Sequence, residues 1–369
     1  MKQIVKRMTA AVRTFQKMLR DPDAQTYYPE EPRKSKRRIS WDHILWLLKY
    51  GEINHYYYLY GFDRIKEPPQ DVYIAKRKFF MAQAVANGPV SMNGRKIFYG
   101  CLLQDKFTFA QYLKSLNLPG AEVLALGQRA SIYWLDEHAW KPLESFAEKG
   151  ELDVFIKPIL GDSGKGVCHA AYNGGTLTVN GQKMDFSEFA PLLSDKYIIQ
   201  QRILQSEALS RVCTNTVASL RIITALKHGK PEYISSLLAM GTGRNKMSNW
   251  AAGGVTIGID PQTGCLNKYA FYKPGFGGKI THHPDTGAAF DGFELPYFKQ
   301  AVDMAIKAHR YFYGTHSIGW DMAISRTGPV FIEGNNLWEI GALQIDDHHC
   351  VENYLASLAA RNGSPAPGR

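Results

Sequence analysis

The stretch "GWDMAISRTGPVFIEGNN", residues 319–336, decides how the chain is read. Two apolar runs flank a turn-forming "SRTGP", so the segment predicts a β-hairpin. With the turn centred on Thr327, Asp321 and Glu333 stand equally far from it and oppose each other across the ladder. Opposed residues project to one face, and Asn335, two places beyond Glu333, shares it. Two facing carboxylates repel unless a cation lies between them. A hard divalent ion such as Mg²⁺ meets that need, because it takes carboxylate, amide and water oxygens and completes its shell with substrate phosphates. Read alone, the same face is equally a solvated polar surface, or Asp321 a buried capping group.

A second stretch shifts the balance. "FIKPILGDSGKGV" (155–167) puts Lys157 at the end of a strand and follows it with Gly161, Asp162, Ser163, Gly164, Lys165 and Gly166. A Gly-rich loop lets backbone N–H groups approach phosphate oxygens closely. The G-x-x-x-x-G-K-[ST] pattern is not met, since Ile159 stands where its first Gly belongs and Gly166 follows Lys165. The strand–loop–strand setting does not suit a dinucleotide-binding turn, which opens a helix. A flap over a nucleotide fits better; a tight turn with no ligand is the plainer alternative. Basic residues that could neutralise phosphates are Lys106 in "LQDKFTF", Arg221 in "SLRIIT" and Arg244 in "GTGRNKMSNWAAGG", which also holds Asn249 and Gly253-Gly254.

The bulk properties bound the answer. The chain has 369 residues, room for two or three domains, and an ordinary composition of 45% hydrophobic and 21% charged residues. No apolar run is long enough to span a bilayer. The five cysteines are scattered without a C-x-x-C pair, which argues against a zinc site or disulfide framework and fits a reducing cytoplasm. Of the formal charge of +10, residues 1–40 supply +7, from eleven Lys and Arg against four acids. The other 329 residues carry +3, so general nucleic-acid binding is disfavoured.

Along the chain, residues 1–20 place Ile4, Met8, Val12, Phe15 and Leu19 at helical spacing among basic residues. This reads as a helix docked on its own core or a membrane-surface helix giving peripheral membrane contact. It lacks the long apolar core of a secretory signal, although its composition resembles that of a transit peptide. Residues 40–62 read as an aromatic-rich helix capped by Ser40, with its aromatic stripe assigned to packing, and 72–87 as another helix. From about residue 96 strands and helices mix: a helix at 106–116, strands at 153–159, 197–203, 219–226, 232–240 and 254–260, and a hairpin turning at Asn173-Gly174-Gly175. A helix spans 296–313, opened by Pro296. Irregular alternation points to α+β. The organisation expected is a basic helix and linker (1–40), a helical region (41–95), a lobe with the Gly-rich flap (96–195), a lobe with the metal site (196–360) and a disordered tail (361–369).

Taken in order, these pieces resemble the ATP-grasp superfamily, and the phrasing is similar to its sugar-transfer-associated family: "WLLKYGEINHYYYLYG", "LRIIT", "HPDTG" (283–287) and "GWDMAISRTGPVFIEGNN". The resemblance implies an ATP-grasp fold, two α+β lobes clasping ATP, behind a mainly helical N-terminal region. It implies that Lys106 and Lys157 contact nucleotide phosphates and that the loop 161–166, with Ser163, Gly164, Lys165 and Gly166, closes over them. Gln200, Gln201, Arg202 and Ile203 would form the adenine hinge, where many relatives carry an acid; Glu207 is a weak candidate for the ribose. Asp321, Glu333 and Asn335 would hold Mg²⁺, as two ions with Glu333 bridging. Arg221, Arg244 and Asn249 would serve the reacting phosphate or acyl phosphate. His282 and His283 read as turn residues before they read as acceptor ligands. The implied reaction joins a small-molecule carboxylate to an amine or sugar-linked acceptor at the expense of ATP, in cell-surface polysaccharide modification. A kinase on the same scaffold and a non-catalytic module of a polysaccharide synthase are the alternatives.

Overall fold

Two antiparallel sheets and five longer helices organise the computed structural model, which describes residues 26–161, 164–243, 248–347 and 349–363. The basic stretch 1–20, Ser163 and Arg244 lie outside the described residues. Helices α1 (Lys36–Tyr50) and α2 (Lys76–Ala86) precede a small hairpin, β1 (Val90–Met92) and β2 (Arg95–Ile97), and helix α3 (Lys106–Ser115). The first large sheet contains β3 (Val123–Gln128), β4 (Ser131–Trp134), β5 (Ala139–Pro142), β6 (Leu152–Pro158), β7 (Cys168–Asn173), β8 (Thr176–Val179), β9 (Gln182–Lys183) and β10 (Lys196–Gln201). Its order is β5-β4-β3-β10-β6-β7-β8-β9, so β10 sits between β3 and β6. The second contains β11 (Ser219–Lys227), β12 (Lys230–Met240), β13 (Val255–Ile259), β14 (Leu266–Tyr272), β15 (Lys279–Ile280), β16 (Ser317–Ser325) and β17 (Gly328–Asn335), in the order β15-β14-β13-β12-β11-β16-β17. Helices α4 (Phe298–His309) and α5 (His349–Gly363) complete the long elements.

Burial on both faces explains why the strands of the second sheet are apolar almost throughout. On one face Leu220, Ile222 and Leu238 join a core with Phe298, Ala301, Ala305 and Ala308 of α4. Alanines at helical spacing let that helix lie close to the sheet. On the other face Ile223 and Leu237 pack with Phe79 of α2 and with Val351 and Tyr354 of α5. The first sheet has its own core around Ile132, Trp134, Phe146 and Phe189.

Helix α1 begins earlier and ends sooner than Ser40 and "YYYLYGF" suggest. Ser35 is its N-cap, accepting from Arg38 N–H, and Gly51 closes it at φ 69°. Ser40 instead donates to Lys36 O. Residues 55–62 form successive turns, with Tyr57, Leu59 and Phe62 buried in an aromatic cluster that also takes in Trp46 and Trp250. The packing role expected of these aromatics holds there but not for Trp41, which is 60% exposed. The helix expected from Pro296 starts at Phe298, because Tyr297 adopts a left-handed φ of 58° just before it.

Candidate functional site

The acids of the opening hairpin do face each other, though not by the turn that the sequence suggests. Ser325 pairs with Gly328, so the turn is centred between Arg326 and Thr327 and not on Thr327. Carried outward, that register would set Asp321 against Ile332. A bulge intervenes: Met322 pairs with Phe331 and Asp321 with Glu333, leaving Ile332 as the extra residue. The bulge restores the opposition of the two acids. Asn335 joins them, its Nδ2 lying 3.1 Å from Asp321 Oδ2 and 3.4 Å from Glu333 Oε1.

Strand β11 runs on the other side of β16 and pairs Arg221 with Asp321. The guanidinium donates through Nε to Asp321 Oδ1 at 2.8 Å and through Nη2 to Oδ2 at 2.7 Å. Arg221 therefore engages an acid of the cluster, where the sequence reading had set it against phosphate. Burial, and next the charge of Asp321, hold the Glu333 carboxyl above the usual carboxylate range. Among the described residues no group of three or more His, Cys, Asp and Glu could cage a metal alone. The donors nevertheless fit a magnesium ion, which needs only one or two protein carboxylates when water and substrate phosphate supply the rest. Two facing acids, Asp321 buried and Glu333 half-buried, are the feature that such an ion would relieve.

These residues line one cleft of about 670 Å³ together with Lys106, Lys157, Gly161, Gly164 and Lys165. Lys157 ends β6 and Lys106 opens α3 behind its N-cap Asp105. Lys106 Nζ donates to Gly161 O at 2.7 Å, tying the helix start to the loop. Gly161, Gly164 and Gly166 have φ of 133°, 71° and 73°, conformations that side chains rarely adopt, so the loop geometry depends on glycine. Gln200, Gln201 and Ile203 reach the same cleft from the end of β10 and the residues after it. Gln200 is buried and its Oε1 has no hydrogen-bond partner, while its Nε2 donates to Ala121 O at 3.4 Å. Arg202 turns away to Asp153, 2.9 Å distant, and Glu207, in a short helix, is absent from the lining.

Asn249 also lines the cleft, and its Oδ1 accepts from Ala251 N–H. Neither His282 nor His283 does. His283 is buried with Nε2 3.0 Å from Gly241 O, and Asp285 accepts from Gly243 N–H. The "HPDTG" turn thus braces the strand end at 241–243, agreeing with its reading as turn chemistry. Sequence reasoning missed a further part of the lining: Lys76 from α2, Lys273, Trp250 and Glu339. Lys76 lies 3.4 Å from Glu339, which accepts from Tyr56 Oη. No spacing rule links positions so far apart; only the docking of the helical region on the second sheet does.

Burial pushes Lys157 down to about 8, partly offset by Glu333 and reinforced by Lys106. Unliganded, the amine is largely neutral above that pH, and a bound polyphosphate favours its charged form. Nucleotide binding should therefore take up a proton and weaken by about tenfold between pH 7 and pH 9. Titration calorimetry in buffers of differing ionisation heat checks this, and Lys157→Met should flatten the profile.

The comparisons with known proteins come to this. A family model described as sugar-transfer-associated ATP-grasp matches residues 91–359. No curated protein matches the chain. Solved structures that it resembles include an N5-carboxyaminoimidazole ribonucleotide synthetase from Thermotoga maritima, 13% identical with a TM-score of 0.35, over 65% of this chain and 43% of that one. A D-alanyl-alanine synthetase A from Vibrio cholerae is 12% identical with a TM-score of 0.39, over 72% and 67%. The VanG D-Ala:D-Ser ligase from Enterococcus faecalis is 10% identical with a TM-score of 0.41, over 70% and 63%. The chain thus spans less than half of the first of these and about two thirds of the others.

Proposed function

The chain belongs to the sugar-transfer-associated ATP-grasp family, and from that premise we propose that it is an ATP-dependent ligase joining a carboxylate to an amine or similar nucleophile. The observation that carries this reading is the meeting of Asp321, Glu333 and Asn335 with Lys106, Lys157, Gly161, Gly164 and Lys165 around one cleft. Asp321, Glu333 and the Asn335 amide are the residues that would hold Mg²⁺, which when bound neutralises crowded phosphate oxygens. Lys157 and Lys106 bind and orient the transferring phosphoryl group of ATP. Gln200, with its unpartnered buried oxygen, can accept from the adenine amino group. The substrate carboxylate attacks the terminal phosphorus, giving an acyl phosphate and ADP. The acceptor amine then attacks the acyl carbon, phosphate leaves, and the amine loses its proton to solvent. Closure of the Gly-rich loop would exclude water that hydrolyses the acyl phosphate. This chemistry asks for no protein nucleophile. The family's association with sugar transfer supports looking for the acceptor among cell-surface polysaccharides or their precursors.

Following phosphate release from ATP against pools of carboxylates and amines tests the proposal. Mg²⁺-dependent release of free phosphate that requires both pools is the expected result. Phosphorylated acceptor without free phosphate would identify a kinase instead. Failure to bind Mg·ATP in calorimetry would leave a non-catalytic module.

A further inference from the structure

Every exposed side chain of helix α1 is either cationic or apolar. Lys36, Arg37, Arg38 and Lys49 are exposed, and so are Trp41, Ile44, Leu45, Leu47 and Leu48. The helix has one acid, Asp42, which is buried, paired with Lys34 at 2.6 Å and with Arg38 at 3.3 Å, and accepts a 2.7 Å hydrogen bond from Tyr57. Its inward side is already satisfied, because Ile39 and Trp46 pack into the aromatic cluster. The outward apolar residues Trp41, Ile44, Leu45 and Leu48 fall at i, i+3, i+4 and i+7, one continuous stripe. Trp41 is 60%, Leu45 54% and Leu48 77% exposed, values at which each would be costly if it served only the fold.

We propose that α1 is a docking helix that lays this stripe into the interfacial region of an anionic lipid bilayer. The cations at its two ends supply the charge complementarity, reaching headgroups while Trp41 and the leucines enter the acyl boundary. Absence of an exposed acid removes the repulsion that an anionic surface would otherwise meet. The association is peripheral: no helix among the described residues is long and apolar enough to cross a membrane. Helix α1 ends beside α2, with Arg77 next to Gly51, and the preceding residue Lys76 lines the cleft. A docked chain therefore holds the helical wall of its cleft near the lipid surface.

Flotation of the full chain with large unilamellar vesicles tests this. Vesicles with on the order of 30 mol% phosphatidylglycerol in phosphatidylcholine should carry the protein upward, and pure phosphatidylcholine should not. Leu45→Glu with Leu48→Glu should weaken binding at least about tenfold, with the melting temperature unchanged because both positions are exposed. A matched full-chain variant, Lys6→Glu with Arg7→Glu, separates this helix from the basic stretch 1–20. Retained binding there, beside loss in the leucine variant, supports α1. No binding to anionic vesicles, equal binding to neutral ones, or wild-type binding by the leucine variant would overturn the proposal. So would a concentration-dependent dimer that the leucine variant abolishes while lipid has no effect on the wild type, since a second copy would then cover the stripe.

Discussion

Glu333→Gln is expected to lower phosphate release by about a thousandfold and, at the same time, to raise the melting temperature of the metal-free chain. The two effects have one origin. Glu333 sits on β17 opposite Asp321, desolvated and facing a like charge, so its carboxyl is held above the ordinary range. For such a group the sign is fixed. The folded state binds the proton more tightly than the unfolded one, so stability is greatest below the unfolded value and is lost as pH rises toward the folded one. Wherever it is ionised, Glu333 is thus a liability to the fold, and an amide of the same shape removes it. The gain in melting temperature, read in EDTA, should shrink as pH is lowered and the carboxyl takes up its proton. Turnover moves the other way because the amide cannot supply the negative oxygen that Mg²⁺ needs. A variant that melts lower and still turns over would show that Glu333 serves packing and not the metal.

This opposition of stability and chemistry was half legible in the sequence. A hairpin centred on Thr327 pairs Asp321 with Glu333, but the turn lies half a step from Thr327, and the same pair forms only because Ile332 bulges. Alternation along a strand is visible in sequence, whereas a bulge is set by what each face must bury, here Phe331 and Gly334 on one side and the cleft on the other. The Gly-rich loop was readable for a local reason, since glycines at positive φ leave a compositional mark. Arg221 was found as a basic residue but assigned to phosphate, because its partner Asp321 lies a hundred residues away on the neighbouring strand. Lys76 and Glu339 were not found, since their meeting depends on how α2 and the aromatic turns dock against the second sheet. Helix α1 shows the same limit in reverse. Its aromatic stripe reads as packing, and only the folded chain separates the buried Trp46 from the exposed Trp41.

Arg221→Gln should destabilise the metal-free chain by about 3 kcal/mol, and Mg²⁺ should restore more stability to this variant than to the wild type. Arg221 clamps both oxygens of Asp321, whose side chain is only 8% exposed against 30% for the arginine. Removing the guanidinium leaves two facing carboxylates with the Asn335 amide between them. Lys106 and Lys157 are the remaining cations facing Glu333, and burial has already lowered the hold of Lys157 on a proton to about 8. The destabilisation should sit at the lower end of the range for broken buried pairs because the arginine is partly in contact with water. With the internal cation gone, a divalent ion becomes the principal counter-charge for Asp321 and Glu333. Binding to the folded state alone then raises the melting temperature in proportion to affinity. Melting curves in EDTA and in millimolar MgCl₂ read this directly. Adding Asp321→Asn to Arg221→Gln should recover stability without metal and remove most of the Mg²⁺ response. An equal response to Mg²⁺ in the wild type and Arg221→Gln would mean that the arginine and the ion do not share the acids, and the metal assignment to Asp321 would fall with it.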